Sequence, residues 1–289
     1  MSTVIRPRRS AAIRASLRPG NIIRNVFAVL LAVFVIGVPV WLVLATSAKT
    51  AGEAQKPSLS LPLHWEGAQN YATVFDQGKI LEGLIGSVVV VVPSVVGVLI
   101  LGSMAAWVLG RRGGPLSAGL YALLISGILM PPAVVTIVLE LRFLHIAETQ
   151  LGLIAVYMGM FLSIATFFMT GFVRTIPREL EEAARVDGAG SWRIYSTIIL
   201  PLLRPVIATA AILVTLFAWN DIFYAFFVLG GSSASTLPLN LYQVASAQLY
   251  LNNWQLIFAY IVLMSAPLIV VFLLGQRRIV SGLTSGAVK

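Results

Sequence analysis

The chain has 289 residues, of which 58% are hydrophobic and only 11% charged, and its mean hydropathy is +0.91. A soluble domain carries about 25% charged residues to face water, so a soluble fold is excluded and most of the surface must face lipid. The formal net charge of +9 then reads as Lys/Arg on the cytoplasmic side of a membrane protein rather than as a nucleic-acid footprint. With no Cys, disulfides and thiolate metal sites are ruled out. The two His residues, His64 and His145, lack ligand-like spacing, and no metal site is expected.

A helix needs about 20 apolar residues to cross a bilayer core. Hydropathy predicts six spans in chain order: Asn25–Ala45, Leu84–Leu109, Ser117–Leu139, Leu151–Val173, Val206–Leu229 and Leu256–Gly275. The expected fold class is therefore all-α, a polytopic membrane protein with six transmembrane helices. The domain reading is a basic N-terminus (1–24), a six-span transmembrane body (25–275) and a C-terminal tail (276–289). The first span follows an Arg-rich start and precedes an A-x-A-like Ala45-Thr46-Ser47-Ala48. Its apolar run exceeds the length of a signal h-region and five spans follow, so it reads as an uncleaved span.

Orientation follows from the cations. Sixteen of the twenty Lys/Arg lie before the first span, between the second and third, between the fourth and fifth, or in the tail. Only Lys49, Lys56, Lys79 and Arg142 lie on the other side. Both termini are expected to be cytoplasmic, as an even number of spans requires, in a multi-pass protein of the cell membrane. The Arg-rich start also suits contact with anionic lipid. The outer connections, Thr46–Gly83 and Gly230–Asn253, are expected to hold short surface helices or turns.

The connection between the fourth and fifth spans, about 174–204, is polar but is not a linker. Pro177 suits a first helical turn, and Arg178–Val186 is rich in helix formers, with acids early and Arg185 late, as the macrodipole favours. Asp187-Gly188 ends that helix with Gly at the C′ position. A second amphipathic stretch, Ser191–Ile199, precedes Leu200-Pro201 and Pro205. Two short helices at an angle make a knob that can fit a cleft in a cytoplasmic partner.

Glu182-Ala183-Ala184, then Gly188, then Ile198-Ile199-Leu200-Pro201 resembles, at every fixed position, the EAA loop of ABC importer permeases. More of the chain, from about Leu59 onward, is similar to the carbohydrate branch, in particular the second permease subunit of maltose-type and glycerol-3-phosphate-type systems. The similar segments are Asn70-Tyr71 with Val74-Phe75, Met130-Pro131-Pro132, Gly152-Leu153-Ile154, Ile176–Leu180, Trp219-Asn220-Asp221, and Gln276-Arg277 with Gly282–Lys289. The chain departs from that pattern at Gly86, where Asn is usual, at Ala106–Arg111, and at Glu140.

The resemblance implies a type I ABC importer permease fold. It also implies a homologous permease subunit as heterodimer partner, two ATPase subunits docked on the EAA helices, and an external solute-binding protein. The implied ATPase-coupling residues are Glu182, Ala183, Ala184, Asp187, Gly188, Ile198, Leu200 and Pro201, with Glu182 pairing to a basic residue of the ATPase. The tail residues Gln276, Arg277, Gly282, Leu283, Thr284 and Gly286 are implied to reach toward the ATPase. No cofactor is expected on this chain, and ATP and Mg belong to the partner subunits. The one Gly-Lys pair, Gly78-Lys79, lacks the P-loop spacing, so the chain is not expected to be an enzyme.

Asp221 is the one acid inside a predicted span and is a candidate for the solute pathway by default. The equally open structural reading places it at a helix break or in a wet cavity, hydrogen-bonded to Asn220 or to a neighbour's backbone. Trp219, Asn220 and Tyr224 complete the candidate pathway, with Phe223 beside them. Aromatics in spans also serve as packing or interfacial anchors. Glu140, Arg142 and Glu148 are expected to form a solvated cluster. An ion-coupled secondary carrier is the rival function, but it would carry more embedded acids or repeated broken helices. An embedded enzyme would need clustered His, Asp or Glu.

Overall fold

A computed structural model of the chain describes residues 19–131, 133–230, 232–246 and 252–287, with the backbone alone at residues 19–22 and 274–287. The basic start before Pro19, Pro132 and the last two residues of the tail lie outside this set. The described residues form helices and connecting turns, with no strand among them.

The first span is α1 (Pro19–Ala32), a π segment (Val33–Gly37) and α2 (Val38–Ser47). The π segment ends two residues before Pro39, and the Val38 amide bonds to the Val33 carbonyl, five residues back. Pro39 lacks an N–H and its ring would crowd the carbonyl four residues earlier, so the helix widens there rather than breaking. Then follow α3 (Ala51–Ala54), α4 (Gly67–Gln77), α5 (Ile80–Arg111), α6 (Pro115–Leu129), α7 (Val134–Phe143) and α8 (Gln150–Val173). The fourth connection holds α9 (Glu179–Val186), α10 (Ser191–Ile194), a second π segment (Tyr195–Ile199) and α11 (Leu200–Leu202). The chain ends with α12 (Arg204–Asn220), α13 (Phe223–Leu229), α14 (Leu237–Ser246) and α15 (Trp254–Ala287).

Four helical stretches are long and apolar enough to cross a membrane: Ile23–Ser47, Ile80–Arg111, Gln150–Val173 and Trp254–Leu273. They cover the expected first, second, fourth and sixth spans. Two bent pairs bring the number to six if each counts as one crossing. The expected third and fifth spans are corrected by these bends. The third, read as continuous over Ser117–Leu139, is α6 and α7 at a 116° bend. Pro131 accounts for the break: it forces Met130 into an extended conformation (ψ 131°) and supplies no N–H to continue the ladder. The fifth, read as continuous over Val206–Leu229, stops at Asn220 and resumes at Phe223. Only together with the helices of the preceding connection, at a bend of 73°, does α12 reach spanning length. The sixth span and the tail are one helix, whose backbone runs through Gln276, Arg277, Gly282, Leu283, Thr284 and Gly286 to Ala287.

The chain divides into two units. In the first, which gathers the described residues up to Ala72 with Asn252–Val262, polar side chains fold the connection after α2. Asn70 donates to the carbonyls of Ser47 and Lys49 at 3.0 and 2.9 Å, ending α2. The buried Lys49 ammonium reaches the Ser58 carbonyl, Ser58 Oγ and Ser60 Oγ. Trp41 Nε1 donates to the Leu59 carbonyl at 3.0 Å, and Glu53 accepts from the Leu63 and His64 amides.

The second unit, Thr73–Leu251 with Leu263–Lys289, is organised on α5 and α8. Its small residues let these backbones approach, which is how helices associate where lipid offers no hydrophobic drive. A Cβ on Gly102 would touch Ala165 Cβ at 3.4 Å, and one on Gly110 would crowd Val173 at 2.8 Å. Thr149 caps α8 by accepting from the Gly152 amide at 3.0 Å. At the other end of α5, Ser87 Oγ accepts from the Leu237 amide at 2.8 Å, and a Cβ on Gly86 would collide with the Ser235 carbonyl oxygen. The Gly86 departure therefore has a structural cause: backbone occupies the place of a side chain. Gly86→Val is expected to cost about 1–3 kcal/mol, seen as a lower midpoint of thermal denaturation in detergent, while Gly119→Ala, with open space around its Cβ, leaves that midpoint unchanged.

Candidate coupling elbow and broken fifth span

The elbow between α8 and α12 begins with α9. Its amide hydrogen bonds start at the Arg178 carbonyl, with Pro177 just outside the helix. At its other end the Gly188 amide bonds to the Arg185 carbonyl (3.0 Å) and the Ala189 amide to the Ala184 carbonyl (2.9 Å). This pair of bonds, with Gly188 at φ +77°, is a Schellman ending and matches the expected C′ role. No atom lies within 4 Å of a Cβ built on Gly188, so its requirement is conformational and not steric. After α10 the second π segment ends two residues before Pro201, and the Leu200 amide bonds to the Tyr195 carbonyl. The geometry repeats that at Pro39.

Along this elbow Glu182, Ala183, Asp187 and Gly188 are exposed, Ala184, Ile198, Leu200 and Pro201 half-buried. Apolar side chains also face outward: Leu180 is 44% exposed, Val186 88% and Trp192 68%. Glu181, which the sequence reasoning passed over, lies in the opposite environment. Its side chain is 4% exposed and its Oε1 pairs with Arg111 Nε at 2.6 Å. Trp107 Nε1 donates to Oε2 at 3.1 Å. Arg111 Nη2 donates in turn to the Ile176 carbonyl at 2.9 Å, and Arg185 stands 3.7 Å from the same carboxylate. One turn along α5, the hydroxyls of Ser103 and Tyr195 share a buried hydrogen bond of 2.7 Å. The rings of Trp107 and Tyr195 lie 5.8 Å apart. The available signal was the spacing of Ser103, Trp107 and Arg111, which repeats every four residues and puts them on one helix face.

Arg174 stacks over Tyr121 of α6 at 4.9 Å, and Arg178 Nη2 donates to the Arg111 carbonyl. The connection after α5 and the connection after α8 therefore lie at the same end of this unit, as their shared Arg content predicts.

Asp221 ends α12 in an extended conformation (ψ 125°). Its Oδ2 accepts from Tyr157 Oη at 2.8 Å and from the Ala225 amide at 3.1 Å, and its Oδ1 lies 3.4 Å from the Tyr224 amide. A carboxylate over free amides at a helix start is a cap favoured by the helix dipole, so Asp221 joins two half-helices. Trp219 is buried, its indole N–H directed to the Met264 carbonyl at 3.3 Å. Asn220, Asp221 and Tyr224 line a cavity of about 560 Å³ with Met160, Phe161 and Phe217. Phe223 stacks edge-on with Tyr224 and Phe227. Glu140, Arg142 and Glu148 are all exposed, and no ion pair joins them among the described residues.

Residues 98–285 match the family described as "Binding-protein-dependent transport system inner membrane component". The chain belongs to this family. It is a membrane permease component and not an enzyme, and its ABC importer resemblance is borne out. The permease is 33% identical over 251 residues to the diacetylchitobiose uptake system permease protein NgcG of Streptomyces coelicolor, covering 86% of this chain and 83% of that one. It is 32% identical over 261 residues to the melibiose/raffinose/stachyose import permease protein MelC of Bacillus subtilis, covering 87% and 91%. The fold matches a chain in the crystal structure of a bacterial ABC transporter involved in the import of the polysaccharide alginate. That match has a TM-score of 0.75 and 21% identity, over 95% of this chain and 99% of that one. A second alginate transporter structure, in complex with an alginate-bound periplasmic protein, matches with a TM-score of 0.68 and 12% identity over 94% and 96%.

Asp221→Ala is expected to lower stability by about 1–3 kcal/mol, because the buried Tyr157 hydroxyl loses its acceptor. Asp221→Asn, which keeps an acceptor, should lose less. Thermal denaturation of the purified permease separates the two. Gly188→Val is expected to strain the turn by about 1–2 kcal/mol and to reduce uptake, whereas Gly188→Asn, which tolerates the left-handed region, should retain most of it.

Proposed function

We propose that this permease is the second of two homologous permease subunits in an ATP-driven importer of a sugar or sugar derivative. In this reading two ATPase subunits dock on the α9–α10 elbow, an external binding protein delivers the solute, and both termini and the elbow face the cytoplasm. The observation that carries it is the outward face of the elbow. A rigid two-helix turn presents Glu182, Ala183 and Val186 around a Schellman glycine, with apolar groups that no part of the described unit covers. An isolated membrane subunit gains nothing from exposing Val186 and Trp192 to water, whereas a partner's cleft would bury them. The solute class is supported by the sugar systems named for the two relatives, and cytoplasmic orientation by the clustering of Arg at the elbow's end.

ATP binding in the partner subunits would close them and pull the elbow, switching access of the pathway. Solute moves uphill only if ATP and the loaded binding protein bias the two access states differently. Within the pathway, Asn220 and Tyr224 are the proposed solute-facing groups. The tail residues from Gln276 onward, backbone-continuous with the last span, would approach the same ATPase.

Glu182→Lys should leave membrane insertion intact while reducing ATPase recovered by pull-down about ten-fold, the loss of a charge pair at a docked interface. Equal recovery from wild type and variant would remove Glu182 from the interface. Because the chain has no Cys, a single Ser191→Cys offers a unique label. An impermeant maleimide should modify it in inside-out vesicles only, and labelling from the outside of intact cells would reverse the topology.

A further inference from the structure

Neighbouring acids on α9 occupy opposite environments. Glu182 is exposed, but Glu181 is held in a dry contact with the last two turns of α5, where Arg111 itself is only 12% exposed. We propose that Glu181 is a positioning residue which, with Arg111 and Trp107, makes the elbow and α5 move as one body. Force received on the exposed face of α9 is then delivered to a full-length span. The inference rests on the ATPase-docking reading above and adds how the elbow's motion enters the membrane.

Three observations carry it. First, both carboxylate oxygens are engaged by different donors, Oε1 by Arg111 and Oε2 by Trp107, which fixes the rotation of α9 as well as its distance. Apolar contact alone lets a helix slide or roll, while directional bonds to a planar guanidinium resist both. Second, one face of α5 holds the elbow at three successive places: Arg111 bonds the chain before α9 at Ile176, Trp107 and Arg111 bond α9, and Ser103 bonds Tyr195 in the π segment beyond it. Third, the C-terminal part of α5 is itself seated closely on α8 at Gly102 and Gly110, so the receiving end of the span is braced by a second helix. A solvated loop would need none of this, since burying a carboxylate costs more than it returns unless partners are in place.

The test must separate this role from mere stability. Removing Glu181 alone strands Arg111 in a buried site, but replacing both members with apolar groups of similar size removes that penalty. The double variant Glu181→Leu/Arg111→Met is therefore assembled with ATPase subunits and binding protein in proteoliposomes, and the ATP hydrolysed per solute imported is measured. The expected result is an intact fold with a thermal midpoint above that of Glu181→Leu alone and wild-type ATPase recovery, with that ratio raised about ten-fold, a typical coupling change. A wild-type ratio would overturn the proposal, showing that packing suffices to transmit the motion. Hydrolysis and uptake falling together with loss of bound ATPase would also overturn it, assigning Glu181 to docking. If the wild-type chain itself retains no ATPase subunit, it is the docking reading that fails and not the lock between Glu181 and Arg111.

Discussion

The architecture of the elbow turns on one buried ion pair. A carboxylate taken out of water needs both a counter-charge and donors for its remaining lone pairs, and Glu181 has Arg111 for the first and the Trp107 indole for the second. Successive residues of a helix are separated by about 100°. Fixing Glu181 inward therefore turns Glu182 and Ala183 away from α5, and the motif that resembles the EAA loop acquires its exposure from a residue that merely precedes it. The Schellman ending at Gly188 then halts α9 after 8 residues and lets α10 return, so that Ile194 and Tyr195 are buried while Trp192 stays outside.

That arrangement needs a firm base, and α5 supplies it by length. At about 1.5 Å per residue its 32 residues reach roughly 48 Å, beyond the ~30 Å hydrocarbon core. Its last turns can stand clear of lipid and still be continuous with the helix packed on α8. Glycine, alanine and serine along this seam replace what the hydrophobic effect supplies in water, since apolar side chains gain little by leaving one hydrocarbon for another. The exposed apolar faces elsewhere, such as Ile85 and Val92 on α5, are what a lipid-facing surface requires.

What was legible in the sequence is what local signals encode. Hydropathy over a window found Ile80–Arg111, Gln150–Val173 and the first and last spans to within a few residues. A helix-stopping Gly188 after an acid-first, base-last run placed the elbow correctly. The broken spans were not legible, because a hydropathy window averages over the one or two residues that interrupt a helix. Met130-Pro131 and Asp221-Ile222 sit inside apolar stretches whose mean hardly changes. Glu181 was missed for a different reason: its partner lies 70 residues away. Nothing in an amphipathic helix of three acids says which one will be buried. The second π segment was equally hidden, although its cause, Pro201, was in view.

The acid in the fifth span shows how a default inference can be refined by geometry. A lone carboxylate in an apolar stretch points to transported charge because burying it otherwise would be costly. Here the cost is met by Tyr157 and by amides that the helix break itself leaves free. The break and the acid explain each other: without Asp221 the first amides of α13 lack an acceptor, and without the break the carboxylate would face a closed helical ladder. Trp219, one residue before Asn220, is likewise committed, to the Met264 carbonyl. Asn220, Asp221 and Tyr224 all border the cavity, at the edges of a capped break. Asn220 and Tyr224 bring to it side chains that the half-helix junction does not consume, and Asp221 brings a carboxylate that the cap holds in place.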